Sequence, residues 1–417
     1  MKLEYLLLFK QRHVLPMLFI SMVLTWLSLQ NGWQSIAHIQ TEIAQSRAEA
    51  KARLLEQKAY FAQRGGAGEV GYYVFHNVYR EPEAWSFIAL GNRLVNPYIQ
   101  RIRLLGLQSQ LYDGESHHPE YILLGGFDYA FWLVFCSPLL LIALLHGLVA
   151  GEQHAGRLDY LRSLARAPKT LWAKRILARW SLITASLVLP LFLFSTLHNL
   201  QFATTIHVVV ITLIYTLFWA ALCAFIGLRI QARNAGMNAI AMATAWLLLC
   251  VVLPNLGRFW IDQQHPVQDG SQIALQQRLQ VHNAWDLPKS ATLDAFYRLY
   301  PQWEHTPPVN VRFHWKWYYA FQHMADVNIR GLVHQREQAL QDRDNATRKL
   351  SWLLPPLWVQ VQLEHIAQSD LQNLLAHRHQ IEQYHTRLRH YFYPYLFEEK
   401  PFGTEEFSGI PLNAPAD

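Results

Sequence analysis

Long stretches without a charged side chain set the pattern of this chain. No Asp, Glu, Lys or Arg lies between Asp128 and Glu152 or between Arg179 and Arg229, and two further charge-free stretches occur elsewhere. A charge at mid-bilayer costs roughly 2.5 to 3.5 kcal/mol on insertion scales, and a membrane-spanning helix needs about 20 mainly apolar residues. The pattern therefore predicts five spans, at residues 14–30, 129–150, 176–197, 207–228 and 237–256.

Basic residues near the predicted spans are distributed unevenly. They precede the first span, fill the connection between the second and third, and lie between the fourth and fifth, whereas the other connections carry almost none close to a span except Arg258. By the positive-inside rule, the basic connections and the N-terminus are cytoplasmic. Residues 28–31 offer no small-x-small cleavage pattern, so we expect the first span to be a retained anchor and not a cleaved signal peptide.

This topology places more than half of the chain outside the cytoplasm. We expect the following regions: 1–31, a cytosolic N-terminus and the first span; 32–127, an extracytoplasmic loop; 128–150, the second span; 151–175, a cytosolic segment; 176–257, the third to fifth spans; and 258–417, an extracytoplasmic domain.

The predicted external regions have helical patterns, so the expected fold class is all-α: a polytopic membrane protein with a large, mainly helical extracytoplasmic domain. Residues 34–64 contain no Gly or Pro and are expected to continue the first span as one rod as far as Gly65. Residues 311–354 and 357–393 form two further helical patterns, separated by a Pro-Pro pair, and are expected to pair as a hairpin.

The last helical pattern carries a heptad-like seam. The seam residues recur every seven positions in two rows: Leu374, Ile381 and Leu388, with His377, Tyr384 and Tyr391. Such a seam needs a partner surface. Packing within the chain against residues 311–354 is the favoured interpretation, and an intermolecular coiled coil is the alternative.

Tryptophans are dense in the C-terminal region, at Trp260, Trp285, Trp303, Trp315, Trp317, Trp352 and Trp358. An aromatic core is the favoured interpretation, and membrane-interface belts explain some of them. The alternative is that residues 313–321 and 351–358 line an amphipathic groove or lie on the outer leaflet, where they engage an apolar or lipid-like cargo.

Composition excludes several classes of function. Much of the net charge of +6 lies in the basic connections, so we expect no nucleic-acid partner. Cys136, Cys223 and Cys250 all fall inside predicted spans, where their spacing excludes a zinc knuckle or a redox pair. The chain has 20 histidines but no HExxH or Cys/His arrangement, so we expect no metal site.

Sequence signatures of catalysis are absent as well. The chain has no GxxxxGK[ST] phosphate loop, no GxSxG motif and no paired metal carboxylates. We therefore expect no catalytic residues and no directly bound cofactor, and any ATP hydrolysis would need a second polypeptide.

The basic connection at residues 151–175 has an amphipathic pattern. Its apolar positions follow helical spacing at Leu158, Leu161 and Leu164, its arginines at Arg157, Arg162 and Arg166 occupy other faces, and Pro168 ends this helix and opens the next. Such an element can lie flat beneath a membrane. The alternative is a basic loop that only fixes topology and contacts lipid headgroups, which leaves Glu152 at the end of a span unexplained.

Residues 127–179 resemble the permease subunits of type-2 ABC exporters. The resemblance is carried by an apolar span followed by a Glu, a Gly-x-Leu, a further Leu, Ser-x-x-x-x-Pro and a Lys that enters the next span. In this sequence the matching positions are Glu152, Gly156, Leu158, Leu161, Ser163, Pro168 and Lys174. Residues 86–131 (SFIALGNRLVNPYIQ…GGFDYAF) and 354–392 (LPPLWVQVQLEHIAQ…RHYF) are similar to the subfamily with long external loops and mostly unassigned substrates.

The resemblance implies a non-catalytic subunit in a bacterial inner membrane. It implies two permease subunits, identical or different, that pair with two cytosolic ABC ATPases carrying ATP and magnesium, and it makes the segment after the second span a coupling helix seated on the ATPase. Membrane lipid is a further expected partner. The expected coupling residues are Glu152, Gly156, Arg157, Leu158, Leu161, Arg162, Leu164, Pro168 and Lys174.

The resemblance has one departure from the family pattern. Such permeases usually have six spans, and no apolar run follows Pro411 here, so we expect either a truncated chain or a final span that is missing by nature. The expected function is that of a permease subunit in an ATP-driven exporter of unidentified cargo. The alternative function, slightly favoured by the missing span, is a membrane-anchored scaffold or sensor with an external partner-binding domain and no transport activity.

Overall fold

The computed structural model describes residues 2–112, 126–164, 168–229 and 235–412, and about 78% of it is helical. The N-terminal half consists of α1 (Lys2–Phe9), α2 (Val14–Arg64), α3 (Ala67–Tyr73), β1 (His76–Tyr79), β2 (Ile99–Ile102), α4 (Leu107–Tyr112), α5 (Tyr129–Phe131, a π-helical turn at Trp132–Cys136, and Ser137–Leu145), α6 (Ala150–His154), α7 (Leu158–Leu164) and α8 (Pro168–Leu197).

The C-terminal half is helical between its connecting loops. It consists of α9 (Phe202–Arg229), α10 (Ala235–Leu247, a π-helical turn at Leu248–Val252, and Leu253–Gln264), α11 (Gly270–Asn283), α12 (Lys289–Leu299), α13 (Trp315–Ser351), α14 (Pro355–Ile366), α15 (Leu371–Phe397) and α16 (Thr404–Ser408). Short 3-10 helices lie at Ser86–Ile88, Gly91–Leu94 and Pro301–Trp303.

Within the part of the chain that the structure describes, five helices are long and apolar enough to cross a membrane, so the five predicted segments are confirmed as candidate spans. The candidate spans are Val14–Phe61, Tyr129–His154, Thr170–Leu197, Phe202–Arg229 and Ala235–Gln264. Large apolar side chains on their outer faces remain exposed, among them Phe19, Phe225 and Ile240. Apolar surface of this extent is typical of a protein whose solvent is lipid.

The first apolar helix continues well past the bundle. α2 is unbroken over its 51 residues, and its Gly- and Pro-free part, residues 34–64, continues the first span as one helix up to the cap at Gly65, as predicted. At 1.5 Å per residue it is roughly 75 Å long, so its second half runs alongside the rest of the protein. Leu54 and Phe61 near its C-terminus pack into the core of the helical domain, which supports the exposed rod.

The five apolar helices form one bundle with two different ends. At the basic end, Arg179 Nε donates to the Leu144 carbonyl at 3.1 Å, joining the C-terminus of α5 to the start of α8. At the domain end, the Tyr129 hydroxyl lies 2.7 Å from the Thr212 hydroxyl, joining α5 to α9. The described residues of the three predicted basic clusters all lie at the basic end, because successive spans alternate in direction.

The helical domain at the other end has its own core. α11, α12, α13 and α15 bury a dense set of rings, in which Phe296 stacks on Phe397 with centroids 4.5 Å apart. Trp317 and Phe321 are buried in the same core, so the aromatic-core interpretation is confirmed for most of residues 313–321. Trp260, Trp285 and Trp352, by contrast, are exposed, so the interpretation does not hold for all seven tryptophans.

The seam predicted on the last helix packs within the chain. Ile381, Tyr384 and Leu388 on α15 are buried in the domain core. Arg389 on the same helix donates to Asp326 on α13 at 2.6 Å, and Asp326 also accepts the Leu107 amide at 2.8 Å. These contacts within the chain account for the seven-residue spacing of the seam, so an intermolecular coiled coil is not needed to explain it.

The prediction of one helix over residues 357–393 is wrong. The chain forms α14, then breaks at residues 367–370, where Gln368 has a φ of 51°, and Asp370 caps α15 by accepting the Asn373 amide. α14 packs mainly into the apolar bundle, where Val359 and Leu363 are fully buried among the spans, and it also contacts α13 of the helical domain. The fold therefore brings a segment predicted to be external down to the bundle.

A small sheet was not predicted. β1 and β2 pair antiparallel, with His76 opposite Ile102 and Tyr79 opposite Ile99. Four-residue strands are too short to give a clear alternating pattern. Within the described residues the architecture is thus mainly, but not purely, helical.

Candidate functional site

The basic end of the bundle is organised around the carboxylate of Glu152. Its Oε1 accepts a hydrogen bond from Arg175 Nη1 at 2.9 Å, and its Oε2 accepts one from Arg157 Nε, also at 2.9 Å. Arg175 Nε lies 3.5 Å from Glu4 Oε1 on α1. One carboxylate therefore links the helix after the second span to the start of the third, and Arg175 extends the link to the N-terminal helix.

Arg175 is held more firmly than a surface arginine. Its side chain is only 10% exposed, and its guanidinium carbon lies 5.4 Å from the centroid of the Trp172 ring, within the range of a cation–π contact. Tyr5 on α1 adds a second tie to α8 through a 2.8 Å contact between its hydroxyl and that of Ser181. The cluster therefore fixes α1, α6 and α8 relative to one another.

The predicted coupling segment forms a short helix that projects from this cluster. Gly156 has a φ of +68°, a left-handed conformation that suits glycine, and it turns the chain between α6 and α7. On α7, Leu158 is buried and Leu161 half-buried, so both of these apolar positions face the protein. Tyr160 points outward and is 65% exposed. The helix presents a polar and aromatic face to the outside.

The structure brings together only some of the nine predicted coupling residues. Glu152 and Arg157 join in the charge cluster, while Gly156, Leu158 and Leu161 build the turn and α7. Lys174 is exposed on α8, and no hydrogen bond or ion pair joins it to this cluster among the described residues. The remaining three positions lie on α7 or at the start of α8, but their side chains are outside the described part: Arg162, Leu164 and Pro168.

Sequence reasoning missed the two partners that matter most at this end, Arg175 and Glu4. From its place in the basic connection at residues 151–175, Arg175 is predicted only to set the membrane topology. The available signal was Glu152 itself, since a carboxylate at the end of an apolar run needs a cation nearby. Nothing in the sequence identifies which of the many neighbouring arginines supplies it.

A second candidate site is a cavity of about 570 Å³ at the domain end of the bundle. It lies beneath α14, between α5 and α10, and the 3-10 helix at Gly91–Leu94 closes one side. Its apolar wall includes Phe131, Val134 and Cys250, and its polar wall includes Asp128 and Glu364. Sequence analysis identified none of these as functional, because they come from four separate parts of the chain.

Both carboxyls of the cavity sit in environments that oppose ionisation. Burial raises the pKa of Asp128 to about 6, although the carboxylate accepts the backbone amides of Phe131 and Leu90 at 2.9 and 2.8 Å. Burial, together with the charges of neighbouring acids, raises the pKa of Glu364 to about 7. The hydrogen bond from Gln360 Nε2 at 2.7 Å acts in the opposite direction.

The buried histidines of the helical domain are packing residues. His385 is buried and its Nε2 lies 3.1 Å from the Arg103 carbonyl, while His323 Nδ1 lies 2.8 Å from the Tyr393 hydroxyl. Burial lowers the pKa of both, so they stay neutral. Among the described residues, no group of three or more His, Cys, Asp or Glu side chains is arranged to hold a metal ion.

Comparison with known proteins reaches only the C-terminal region. Residues 271–412 match the family model described as a domain of unknown function (DUF3526). The match covers α11 to α16 and none of the five apolar helices. No curated protein and no solved structure was found to match the chain.

Proposed function

We propose that this protein is the permease subunit of an ATP-driven exporter, in which the basic end faces the cytoplasm and α7 receives the motion of a separate ABC ATPase. The observation that carries the proposal is the construction of this end. A short helix with an exposed outer face is joined through Glu152 and Arg175 to the ends of two apolar helices. A loop that only set topology would not need a buried ion pair.

The contact geometry supports transmission of force. α7 follows directly on α6, and the 2.9 Å bond from Arg175 to Glu152 ties α6 to α8. α8 in turn packs along α2 and α9 in the bundle. A push on α7 is therefore expected to move the helices as units, because packed interfaces shift between discrete arrangements more readily than they deform.

The resemblance in the coupling segment supports an ABC partner, and the positive-inside rule supports the orientation. On this proposal a second permease subunit completes the transporter, and the helical domain lies outside the cytoplasm. The cargo would leave through the bundle or through the interface between subunits. ATP and magnesium would be bound by the ATPase alone.

The test is co-purification of the tagged chain from its native membrane with variants in α7. Tyr160→Asp places a charge on the exposed face without disturbing buried contacts, and Leu161→Asp and Gly156→Asp act on the supporting side of the turn. We expect each variant to lose a co-purifying ABC ATPase, identified by mass spectrometry, and to lose cargo-stimulated ATPase activity in the reconstituted complex.

A matched control is Tyr73→Asp, since Tyr73 is 56% exposed but lies at the domain end. It should leave ATPase recovery unchanged. If only partners of the helical domain are recovered, and the α7 variants do not alter them, the chain is a membrane-anchored scaffold and the export proposal fails.

A further inference from the structure

The cavity beneath α14 has the shape of an amphiphile site. Asp128 lies just before the first turn of α5, and Val134 lies six residues further along the same helix. At 1.5 Å per residue the wall between them is roughly 9 Å deep. The polar groups therefore lie at the outer end and the apolar wall extends inward along the spans.

The two π-helical turns found in the described part of the bundle both line this cavity. Trp132–Cys136 contributes Val134 and Phe135, and Leu248–Val252 contributes Cys250. π-helical turns are rare and occur mostly at functional sites, because they cost regular hydrogen bonding. That two of them meet at a single cavity is an independent indication that the cavity is used.

Side chains from neighbouring helices hold the first π-helical turn in place. The Tyr215 hydroxyl donates to the Val134 carbonyl at 2.7 Å, and Trp246 Nε1 donates to the Phe135 carbonyl at 3.0 Å. These bonds offset the loss of regular helical bonding. The widened turn is thus a built feature of the wall.

The charge at the head of the cavity is negative. Asp128, Asp344 and Asp370 all act on Glu364 to disfavour its ionisation. The nearby cations are engaged elsewhere: Arg348 pairs with Asp344 at 2.8 Å and Asp370 at 3.2 Å, and the His365 ring lies 3.0 Å from Asp370.

Arg258 also lines the cavity but does not neutralise Glu364. Its side chain is 77% exposed, and its ion-pair partner is Asp262 at 3.8 Å. Among the described residues, Glu364 has Gln360 as its hydrogen-bond donor and no cation in an ion pair. Glu364 is half-buried, and a carboxyl that is partly removed from water and surrounded by like charges either stays protonated or needs a positive partner.

We infer that this cavity binds an amphipathic molecule with a cationic ammonium head, the head between Glu364 and Asp128 and the alkyl chain along the α5 and α10 wall. The binding site stands independently of export. That its occupant is the transported cargo, loaded sideways from the outer part of the membrane, rests on the proposed function.

The test measures binding of decylammonium to the full chain in phosphatidylcholine nanodiscs by calorimetry. We expect Glu364→Gln to weaken binding at least tenfold at pH 8. We expect wild-type binding to weaken when the pH falls from 8 to 5.5, as the carboxyls take up protons. Each methylene between octylammonium and decylammonium should strengthen binding about fourfold when the affinity is expressed for the free aqueous amine, with the partition of both amines into protein-free nanodiscs measured separately and subtracted.

Two controls make the result specific. Glu337→Gln removes another half-buried carboxyl whose pKa is raised by burial, but it lies on α13 away from this cavity, so it should leave binding unchanged. Decyl sulfate has the same tail and the opposite charge, and it should bind much more weakly. Equal binding of the two amphiphiles, or equal binding by the Glu364→Gln variant, overturns the inference.

A second arm identifies the natural source of the ammonium head. If a membrane aminolipid occupies the site, it competes with decylammonium, which should therefore bind more weakly in nanodiscs rich in phosphatidylethanolamine than in phosphatidylcholine alone. Leu357→Trp, which narrows the cavity, should remove this difference between the two lipid compositions. If the source is a free amphiphile, the two lipid compositions should give the same affinity for the cavity. In either case the binding result does not depend on whether an ABC ATPase co-purifies with the chain, so the binding site and the export proposal can fail independently.

Discussion

The ion pair between Glu152 and Arg175 offers the sharpest test of how the basic end is built. The perturbation is Glu152→Gln, which keeps the shape of the side chain and removes its charge. Neutralising one partner of a fully buried pair costs about 3–5 kcal/mol, mostly because the other charge is left uncompensated. Here both side chains retain a little exposure, 17% for Glu152 and 10% for Arg175.

Two neighbouring side chains, Glu4 and Arg157, bear on the energetic cost expected for Glu152→Gln. Glu4 remains 3.5 Å from Arg175 and compensates part of the charge. The bond from Arg157 adds little, because that arginine is 65% exposed and exposed pairs contribute about 0–1 kcal/mol. We therefore expect Glu152→Gln to reduce the free energy of unfolding by about 2 kcal/mol.

The assay is reversible unfolding in mixed micelles, followed as a double-mutant cycle with Arg175→Gln. The expected coupling energy is about 1.5 kcal/mol, since residues in direct contact typically couple by 0.5–3 kcal/mol. Glu49 and Arg53 form the matched control, because they lie 4.0 Å apart on the exposed face of α2 and are both about half exposed. A coupling energy no larger than that of the control pair would refute the ion-pair account.

Four further outcomes can be measured. Leu388→Ala, at a fully buried position, should cost about 2–5 kcal/mol and lower the unfolding temperature of the helical domain. Gly156→Ala should cost about 1 kcal/mol in unfolding experiments because of the left-handed backbone, whatever its effect on partners. Burial lowers the pKa of His76 and His377 to about 4, so between pH of about 6.5 and about 4 only the unfolded chain binds these two protons. The free energy of unfolding should therefore fall as the pH is lowered through this range, by up to about 3 kcal/mol per histidine. His377→Gln should reduce this loss, as measured by unfolding curves at a series of pH values. Trp352→Phe should reduce the share of tryptophan fluorescence quenched by brominated lipid, and an unchanged share would place that turn away from the bilayer.

The extent of the apolar helices could be predicted because the relevant free energies add up residue by residue. Twenty apolar residues without a charge form a span in almost any context, and the helical pattern of residues 34–64, which has no Gly or Pro, continues that span as far as the cap at Gly65. The candidate coupling helix was predictable for the same reason. Its apolar positions at Leu158 and Leu161 follow helical spacing and do face the protein.

The candidate sites themselves depended on contacts between distant segments. The sequence contains many arginines near Glu152, and only the packing of α8 beside α6 and α1 selects Arg175. The cavity likewise forms only where α5, α10 and α14 meet, because its two carboxyls, Asp128 and Glu364, come from distant parts of the chain.

What the sequence alone determined is the division into apolar helices and charged ends, because burial in lipid and helix continuity are local properties. What only the tertiary structure decided is the surface against which α14 packs. Its polar side chains, such as Gln360, predict a surface helix, yet Val359 and Leu363 on its other face are sealed into the bundle. Whether α14 lies on the protein surface or packs into the bundle depends on which apolar faces of the other helices remain uncovered, and the local sequence of α14 does not contain that information.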